Sequence, residues 1–111
     1  MTFAGNHKKI VLFASGNGTN VENILNYFKN NNRVSFLKVF TNNSKALVLK
    51  KIAHFGIKSR CFNNIELKED LIFKELKLLN PDLIVLAGFL LKMPTSIINN
   101  FQNKIINIHP A

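Results

Sequence analysis

The chain has 111 residues, which is enough for one small domain and too few for two. Hydrophobic residues make up 47% of the chain, and this fraction excludes a disordered or collagen-like protein because so many residues can enter a core. The lone Cys61 excludes a disulfide scaffold, and no apolar run is long enough to span a bilayer. The short apolar run at residues 10–14 is too brief for a secretory signal peptide. We therefore expect a cytoplasmic domain in a reducing compartment, with no membrane partner.

The charge is strongly positive and unevenly placed. Lys and Arg number 15 against 6 Asp and Glu, for a net charge of +9, and residues 1–60 contain ten of these bases and a single acid. A basic half indicates an anionic partner, although a chain so rich in Asn, Lys, Ile and Phe would also be basic through composition alone. No basic helix or aromatic RNA-binding strand is recognisable, so a small anionic molecule is favoured and no nucleic acid is expected.

Short β-branched apolar runs alternate with helical patterns along the chain. The first helix, for example, follows from apolar residues at positions 21, 24, 25 and 28, which recur with the period of one helix face. The predicted strands are residues 9–14, 33–41, 57–62, 82–87 and 104–108, and the predicted helices are residues 20–29, 44–55 and 66–79. This alternation predicts an α/β fold with a Rossmann-like, doubly wound parallel sheet and helices on both faces.

Local signals refine this prediction. Thr19 and Glu22 have the spacing of a capping box, and Gly56 is expected to end the second helix in a left-handed conformation. Pro81 ends the third helix. Residues 1–8 are expected to be loose, and Cys61 is expected to be a small buried hydrophobe. The remaining expectations are an inward face formed by Leu71, Ile72, Leu76 and Leu79, and a solvated first helical turn containing Glu66, Glu69 and Asp70.

A glycine-rich segment, residues 15–20, joins the first strand to the first helix. Two glycines allow a sharp turn, and the backbone amides of Gly18, Thr19 and Asn20 open a helix whose dipole favours phosphate. The third glycine of a dinucleotide-binding fingerprint would fall at Val21, and no Walker A lysine follows. The pattern favours a phosphate site over an ordinary tight turn.

Two further segments lie at carboxyl ends of predicted strands, where ligands bind in such sheets. Asn107 and His109 point to the same side of the last strand, where an amide can donate to an oxyanion and an imidazole can transfer a proton. A structural hydrogen-bonded pair is the alternative. The apolar residues 86–94 either line a slot for a flat heteroaromatic ligand or pack in the core. His7 and His54 lack partners at metal-binding spacing, so no metal is expected.

Three segments in order, residues 13–20, 81–89 and 105–111, resemble the phosphoribosylglycinamide formyltransferases, the folate-dependent enzymes of purine synthesis. The resemblance covers residues 8–111. The loop at residues 15–20 separates this family from the methionyl-tRNA formyltransferases and formyltetrahydrofolate deformylases, which share the Asn-x-His strand. The resemblance implies that the chain is the N-terminal part of a single formyltransferase domain whose fold is incomplete at its C-terminus.

The resemblance also implies a role for individual residues. Gly18, Thr19 and Asn20 would hold the phosphate of the ribonucleotide, while Asn107 would stabilise the oxyanion and His109 would act as general acid. The donor would be 10-formyltetrahydrofolate, and the folate-binding residues would be Leu90, Leu91, Lys92, Met93 and Asn107. Both substrates are small molecules, and the oligomeric state is left open.

Two departures from the family pattern qualify this implication. Family members often have an Arg within residues 90–92, where this chain reads Leu-Leu-Lys, and an Asp that pairs with the catalytic His lies beyond residue 111 in the family. We therefore expect residues 1–111 alone to catalyse little, and the strand at residues 104–108 or a neighbour to lack a covering element. The alternatives are a non-catalytic phosphate- or nucleotide-binding module and a formyltransferase acting on methionyl-tRNA.

Overall fold

The computed structural model of the protein describes residues 7–108, which form five strands and five helices. Apolar runs of β-branched residues form the strands, and segments with one apolar face form the helices between them. The strands are β1 (Lys8–Ala14), β2 (Val34–Thr41), β3 (Ser59–Cys61), β4 (Leu83–Ala87) and β5 (Ile105–Ile108). The helices are α1 (Thr19–Phe28), α2 (Val48–Ala53), α3 (Asn64–Lys68), α4 (Leu71–Leu79) and α5 (Thr95–Asn100).

The strands form one parallel sheet in the order β3-β2-β1-β4-β5. The chain builds the sheet outward from β1 to β3, then returns across it to place β4 on the other side of β1. This order is that of a doubly wound sheet, and it confirms the predicted fold class. The order reverses between β1 and β4, so the carboxyl ends of these two strands flank the crevice where such sheets bind ligands.

Helices cover both faces of the sheet, as predicted. On one face, α1 and α2 bury Val21, Leu25 and Ile52 against the sheet residues Leu12 and Val39. On the other face, α3, α4 and α5 cover a core rich in phenylalanine, in which the Phe13 and Phe40 rings stack at 4.8 Å. The alternation of side chains along each strand assigns successive residues to opposite cores.

A β-bulge in β2 changes this alternation. The pairing with β1 shifts between Ile10 and Val11, so that Ile10 faces Phe36 while Val11 faces Lys38. The shift allows Lys38 to reach the α4 side of the sheet, where its Nζ lies 3.0 Å from a carboxylate oxygen of Glu75. A bulge of this kind redirects one side chain without ending the strand.

The helix predicted at residues 66–79 is wrong as a single element, because the chain breaks between α3 and α4. Asp70 takes a left-handed conformation with φ 64° there, and its carboxylate accepts a 2.7 Å hydrogen bond from the Ser96 hydroxyl. Glu66 is not merely solvated, since its side chain and that of Asn63 form a reciprocal capping box at the start of α3. The capping box therefore occurs here rather than at the predicted position on α1.

Other elements differ from prediction in extent or environment. The second helix is shorter than the predicted residues 44–55, α5 was not predicted, and β1 begins at Lys8 within the segment expected to be loose. Gly56 has the expected left-handed conformation, with φ 68°.

Cys61 is exposed rather than buried, because β3 is a short edge strand. On α4, Ile72 and Leu76 face inward as predicted, but Leu71 is 42% exposed.

The strand β5 lies at the opposite edge of the sheet from β3. It pairs only with β4 among the described strands, and its Ile106 is 48% exposed. Its position matches the strand predicted at residues 104–108. No helix within residues 7–108 is both long and apolar enough to cross a membrane.

Candidate functional site

The glycine-rich loop after β1 has a shape that only glycine permits at its centre. Gly18 is the N-cap residue of α1, with φ 80° and ψ 18° in the left-handed region. A Cβ atom at this position would lie 2.6 Å from the Val48 Cβ, at the start of α2. The predicted Thr19–Glu22 capping box is wrong, because Gly18 takes the cap position and Thr19 is already helical.

At the N-terminus of α1, two hydrogen-bond donors of Thr19 point at one shared acceptor. The Asn17 side-chain oxygen accepts hydrogen bonds from the Thr19 backbone N–H at 3.0 Å and from the Thr19 hydroxyl at 2.9 Å. The first amides of a helix have no partner within the helix and carry the positive end of its dipole. The Asn17 oxygen therefore occupies a position where an oxygen of an anion is favoured.

An open cavity of about 480 Å³ adjoins this loop. Residues 16–20 form one wall, and Ala87, Gly88 and Leu90, at the end of β4, form the other. All three predicted phosphate-binding residues, Gly18, Thr19 and Asn20, therefore share one cavity with Leu90 from the predicted folate-binding segment. The cavity lies at the crevice that the strand order predicts.

The rest of the predicted folate-binding segment lines a second cavity, of about 450 Å³. Leu91, Lys92 and Met93 border it together with α3 and the start of α5. The burial of these residues differs: Met93 is 6% exposed and belongs to the core, whereas Leu90 is 83% exposed. Part of residues 86–94 therefore packs in the core and part borders a cavity, while a heteroaromatic ligand in that cavity stays a prediction.

Asn107 lies on β5, next to Leu86 of β4, and is exposed. The alternation along β5 places it on the same face as Ile105, which packs against the phenylalanine-rich core. It does not line the cavity beside the glycine-rich loop. His109 lies outside the described residues.

The shifted pKa values belong to groups away from this cavity. Hydrogen bonds with Glu66 and then Glu75 raise the pKa of Arg60, and the bond from Arg60 is the main reason that the pKa of Glu66 is lowered. A hydrogen bond from the Lys9 backbone N–H, 2.8 Å long, lowers the pKa of Asp82. The hydrogen bonds of these groups join different strands and helices of the fold. Within residues 7–108, no cluster of three or more metal-binding side chains occurs.

Ser15 lies in the predicted glycine-rich segment, but its contact with Asn42 at the carboxyl ends of the strands was not predicted. Ser15 and Asn42 follow different strands, yet their side chains share a 2.6 Å hydrogen bond. Their separation of 27 residues gives no local signal. Asn17 lies inside the predicted motif, and its spacing of two residues from Thr19 is typical of an Asx turn, which is a signal that could have identified it.

The fold and the cavity define a doubly wound α/β protein with a glycine-rich loop beside an open cavity at the switch point of its sheet. The sequence pattern of the formyl transferase family matches residues 8–111, and the chain belongs to that family.

Individual relatives agree with this assignment. The phosphoribosylglycinamide formyltransferase of Bacillus subtilis is 32% identical over 94% of this chain and 56% of its own length. The protein of the same name in Escherichia coli is 29% identical over 92% of this chain and 51% of its own length. The crystal structure of phosphoribosylglycinamide formyltransferase from Anaplasma phagocytophilum has a TM-score of 0.84 and 29% identity, covering 93% of this chain and 50% of that one. The chain thus spans about half the length of these relatives.

Proposed function

We propose that the protein transfers a formyl group from 10-formyltetrahydrofolate to the amine of 5′-phosphoribosylglycinamide in purine biosynthesis. The observation that carries this proposal is the match of residues 8–111 to the formyl transferase family. Within that family, the glycine-rich loop at residues 15–20 favours the phosphoribosylglycinamide formyltransferases over enzymes acting on methionyl-tRNA or on formyltetrahydrofolate alone. Both substrates are small molecules. Residues 8–111 would form the N-terminal part of a single formyltransferase domain, since relatives are about twice as long.

The glycine-rich loop is the proposed site for the ribonucleotide phosphate. Gly18, Thr19 and Asn20 lie where the α1 dipole favours negative charge, and the cavity beside them is open to a ligand. A phosphate oxygen would replace the Asn17 side-chain oxygen as the acceptor for both Thr19 donors. This exchange keeps the two donors satisfied with and without ligand.

The segment after β4 is the proposed border of the pterin site. Its exposed Leu90 offers apolar surface to a flat ring, while Leu91, Lys92 and Met93 border the neighbouring cavity. Because Met93 is buried, its contribution would come from its backbone. A folate site is therefore assigned to residues 90–93 and Asn107.

The proposed reaction needs a hydrogen-bond donor to the formyl oxygen and a group that delivers a proton to the leaving nitrogen. The substrate amine forms a bond to the formyl carbon, and the bond between that carbon and the folate nitrogen then breaks. Asn107 would donate to the carbonyl oxygen as negative charge develops on it, and His109 would deliver a proton to the departing nitrogen. The proton lost by the attacking amine balances the one delivered, so no net charge is created.

The test is formyl transfer by the native protein, measured as tetrahydrofolate released per formylated ribonucleotide. We expect a ratio of one. His109→Ala should lower kcat by about 10² to 10⁴, the usual contribution of a general acid. Asn107→Ala should lower kcat by about 10² to 10³, as removal of one oxyanion donor does. Ser35→Ala, at the amino end of β2, serves as a control and should retain activity.

Three results would contradict the proposal. Unchanged kcat in the His109→Ala protein would remove its assigned role. Ribonucleotide binding without any response to folate would indicate the non-catalytic phosphate-binding module. Formylation of methionyl-tRNA, with RNA affinity that falls steeply as salt rises, would indicate the other enzyme class.

A further inference from the structure

Ser15 is one of only two polar residues that are buried within the described part of the chain. It follows the last residue of β1, opens the glycine-rich loop, and is 6% exposed. The other buried polar residue is Thr41, at the end of the neighbouring β2. A hydroxyl is buried without cost only when hydrogen bonds satisfy it, so the partners of Ser15 identify what it holds.

Ser15 joins the loops that follow three different strands. Its hydroxyl donates to the Asn42 side-chain oxygen at 2.6 Å, in the loop after β2. The same hydroxyl oxygen accepts from the Leu90 backbone N–H at 2.9 Å, in the loop after β4. The Ser15 backbone N–H also donates to the Gly88 carbonyl oxygen at 3.3 Å.

The direction of the two side-chain bonds makes them interdependent. A hydroxyl has one proton, so donation to Asn42 leaves the lone pairs of Ser15 facing the Leu90 N–H. Consecutive hydrogen bonds of this kind polarise and strengthen one another. While both bonds are intact, the glycine-rich loop and the loop after β4 therefore move together, and loss of one bond weakens the other.

The two connected loops are the two walls of one cavity. Residues 16–20 follow Ser15 directly, and Gly88 and Leu90 lie opposite them. Gly88 has φ 73°, so the chain turns sharply at the point where its carbonyl oxygen meets Ser15. Fixing one wall of the cavity thus restricts the position of the other.

We infer that Ser15 is a positioning residue that couples the two substrate sites, so that occupation of the phosphate loop prearranges the loop after β4 for the folate donor. This inference rests on the proposed function. Ser15 touches neither substrate in this account. Its effect is a coupling between two binding equilibria, which is reciprocal because each ligand must raise the affinity of the other by the same factor.

The experiment measures that factor in the native protein. The Kd of phosphoribosylglycinamide is determined by calorimetry with and without saturating tetrahydrofolate, which cannot donate a formyl group. We expect tetrahydrofolate to lower this Kd by about fivefold or more in the wild-type protein, as typical couplings do. In Ser15→Ala the ratio should fall to about one. Ser35→Ala is the matched control, since its hydroxyl contacts His7 away from the cavity, and it should keep the wild-type ratio.

A second measurement needs no variant and covers the case in which Ser15→Ala does not fold. Hydrogen exchange at the Leu90 amide, the donor to Ser15, should slow at least severalfold when phosphoribosylglycinamide alone is added. Exchange at the Phe36 amide, near the amino end of β2, should not change. Leu90 also lines the cavity beside the glycine-rich loop, so contact with the ligand could slow its exchange as well; the inference requires the slower rate, and an unchanged rate overturns it.

The outcomes separate the inference from the proposed function. If both ligands bind the wild-type protein but do so independently, or if Ser15→Ala keeps the coupling, the inference is wrong and the proposed function stands. An unchanged Leu90 exchange rate on addition of a bound ribonucleotide also overturns the inference. If neither ligand binds the wild-type protein, both the inference and the proposed function are wrong.

Discussion

Replacement of Gly18 by alanine tests the geometry of the glycine-rich loop. Gly18 has φ 80°, and a left-handed conformation costs a residue with a Cβ about 1–2 kcal/mol. The new Cβ would also lie 2.6 Å from the Val48 Cβ and Cγ2 and 2.8 Å from its Cα. Since the Val48 Cα is backbone, a change of rotamer cannot relieve this contact, and overpacking of this kind costs about 1–3 kcal/mol.

The expected destabilisation of Gly18→Ala is about 2–4 kcal/mol, after allowing about 0.4–1 kcal/mol for the lower entropy of the unfolded alanine chain. This is a large share of the 5–15 kcal/mol typical of a domain. The matched control is Gly56→Ala, which has φ 68° and nothing within 4 Å of its added Cβ. The control therefore carries the conformational cost alone, about 1 kcal/mol net.

Urea unfolding of both variants provides the measurement. With a slope of about 1–3 kcal/mol per molar urea, the midpoint of Gly18→Ala should fall by roughly 1–3 M, and by clearly more than that of Gly56→Ala. Val48→Ala should rescue Gly18→Ala only in part, because the Val48 Cβ and Cα remain. Equal midpoints for the two glycine variants would refute the contact with α2, and with it the reason that the loop needs glycine.

Three further predictions concern elements that hold the fold. Hydrogen bonding from the Lys9 backbone N–H lowers the pKa of Asp82. The Asp82 carboxylate should therefore contribute to stability at neutral pH, and this contribution should be lost as the pH falls through the lowered pKa. In urea titrations, the difference in stability between wild type and Asp82→Asn should close below about pH 4. Glu75→Gln should cost up to about 1 kcal/mol, and less at high salt, because both ion pairs that Glu75 forms are partly exposed; a loss independent of salt would contradict this reason. Asn63→Ala should cost about 1 kcal/mol by removing the cap of α3, whereas Asn64→Ala should cost less; equal thermal midpoints for the two would contradict the cap.

The sheet and the first helix were predictable because their signals are local. Buried parallel strands appear as continuous apolar runs, and the apolar stripe around Val21 and Leu25 has the helical period. The alternation and the right-handed crossover rule predicted the doubly wound class, while the strand order itself comes from the structure. The glycine-rich loop was predictable as a candidate site for the same reason, since its position between a strand and a helix is a property of adjacent residues.

The remaining features depend on contacts between distant residues. The break before α4 occurs at Asp70, whose partner Ser96 lies 26 residues away, and nothing in residues 66–79 alone forbids a continuous helix. The capping box at Thr19 fails because Gly18 packs against Val48, which no pattern in the loop reveals. The hydrogen bonds of Ser15 likewise connect residues from three loops.

The proposed role of the N-terminus of α1 is to bind the phosphate of a ribonucleotide substrate. The most direct test follows the backbone amides of Gly18, Thr19 and Asn20 by NMR while phosphoribosylglycinamide is added, with its dephosphorylated form as the matched control. We predict saturable shifts at these amides and at least tenfold weaker binding without the phosphate, because the helix terminus would lose its charged partner. Equal binding of the two forms, or no shift at these amides, would contradict the account.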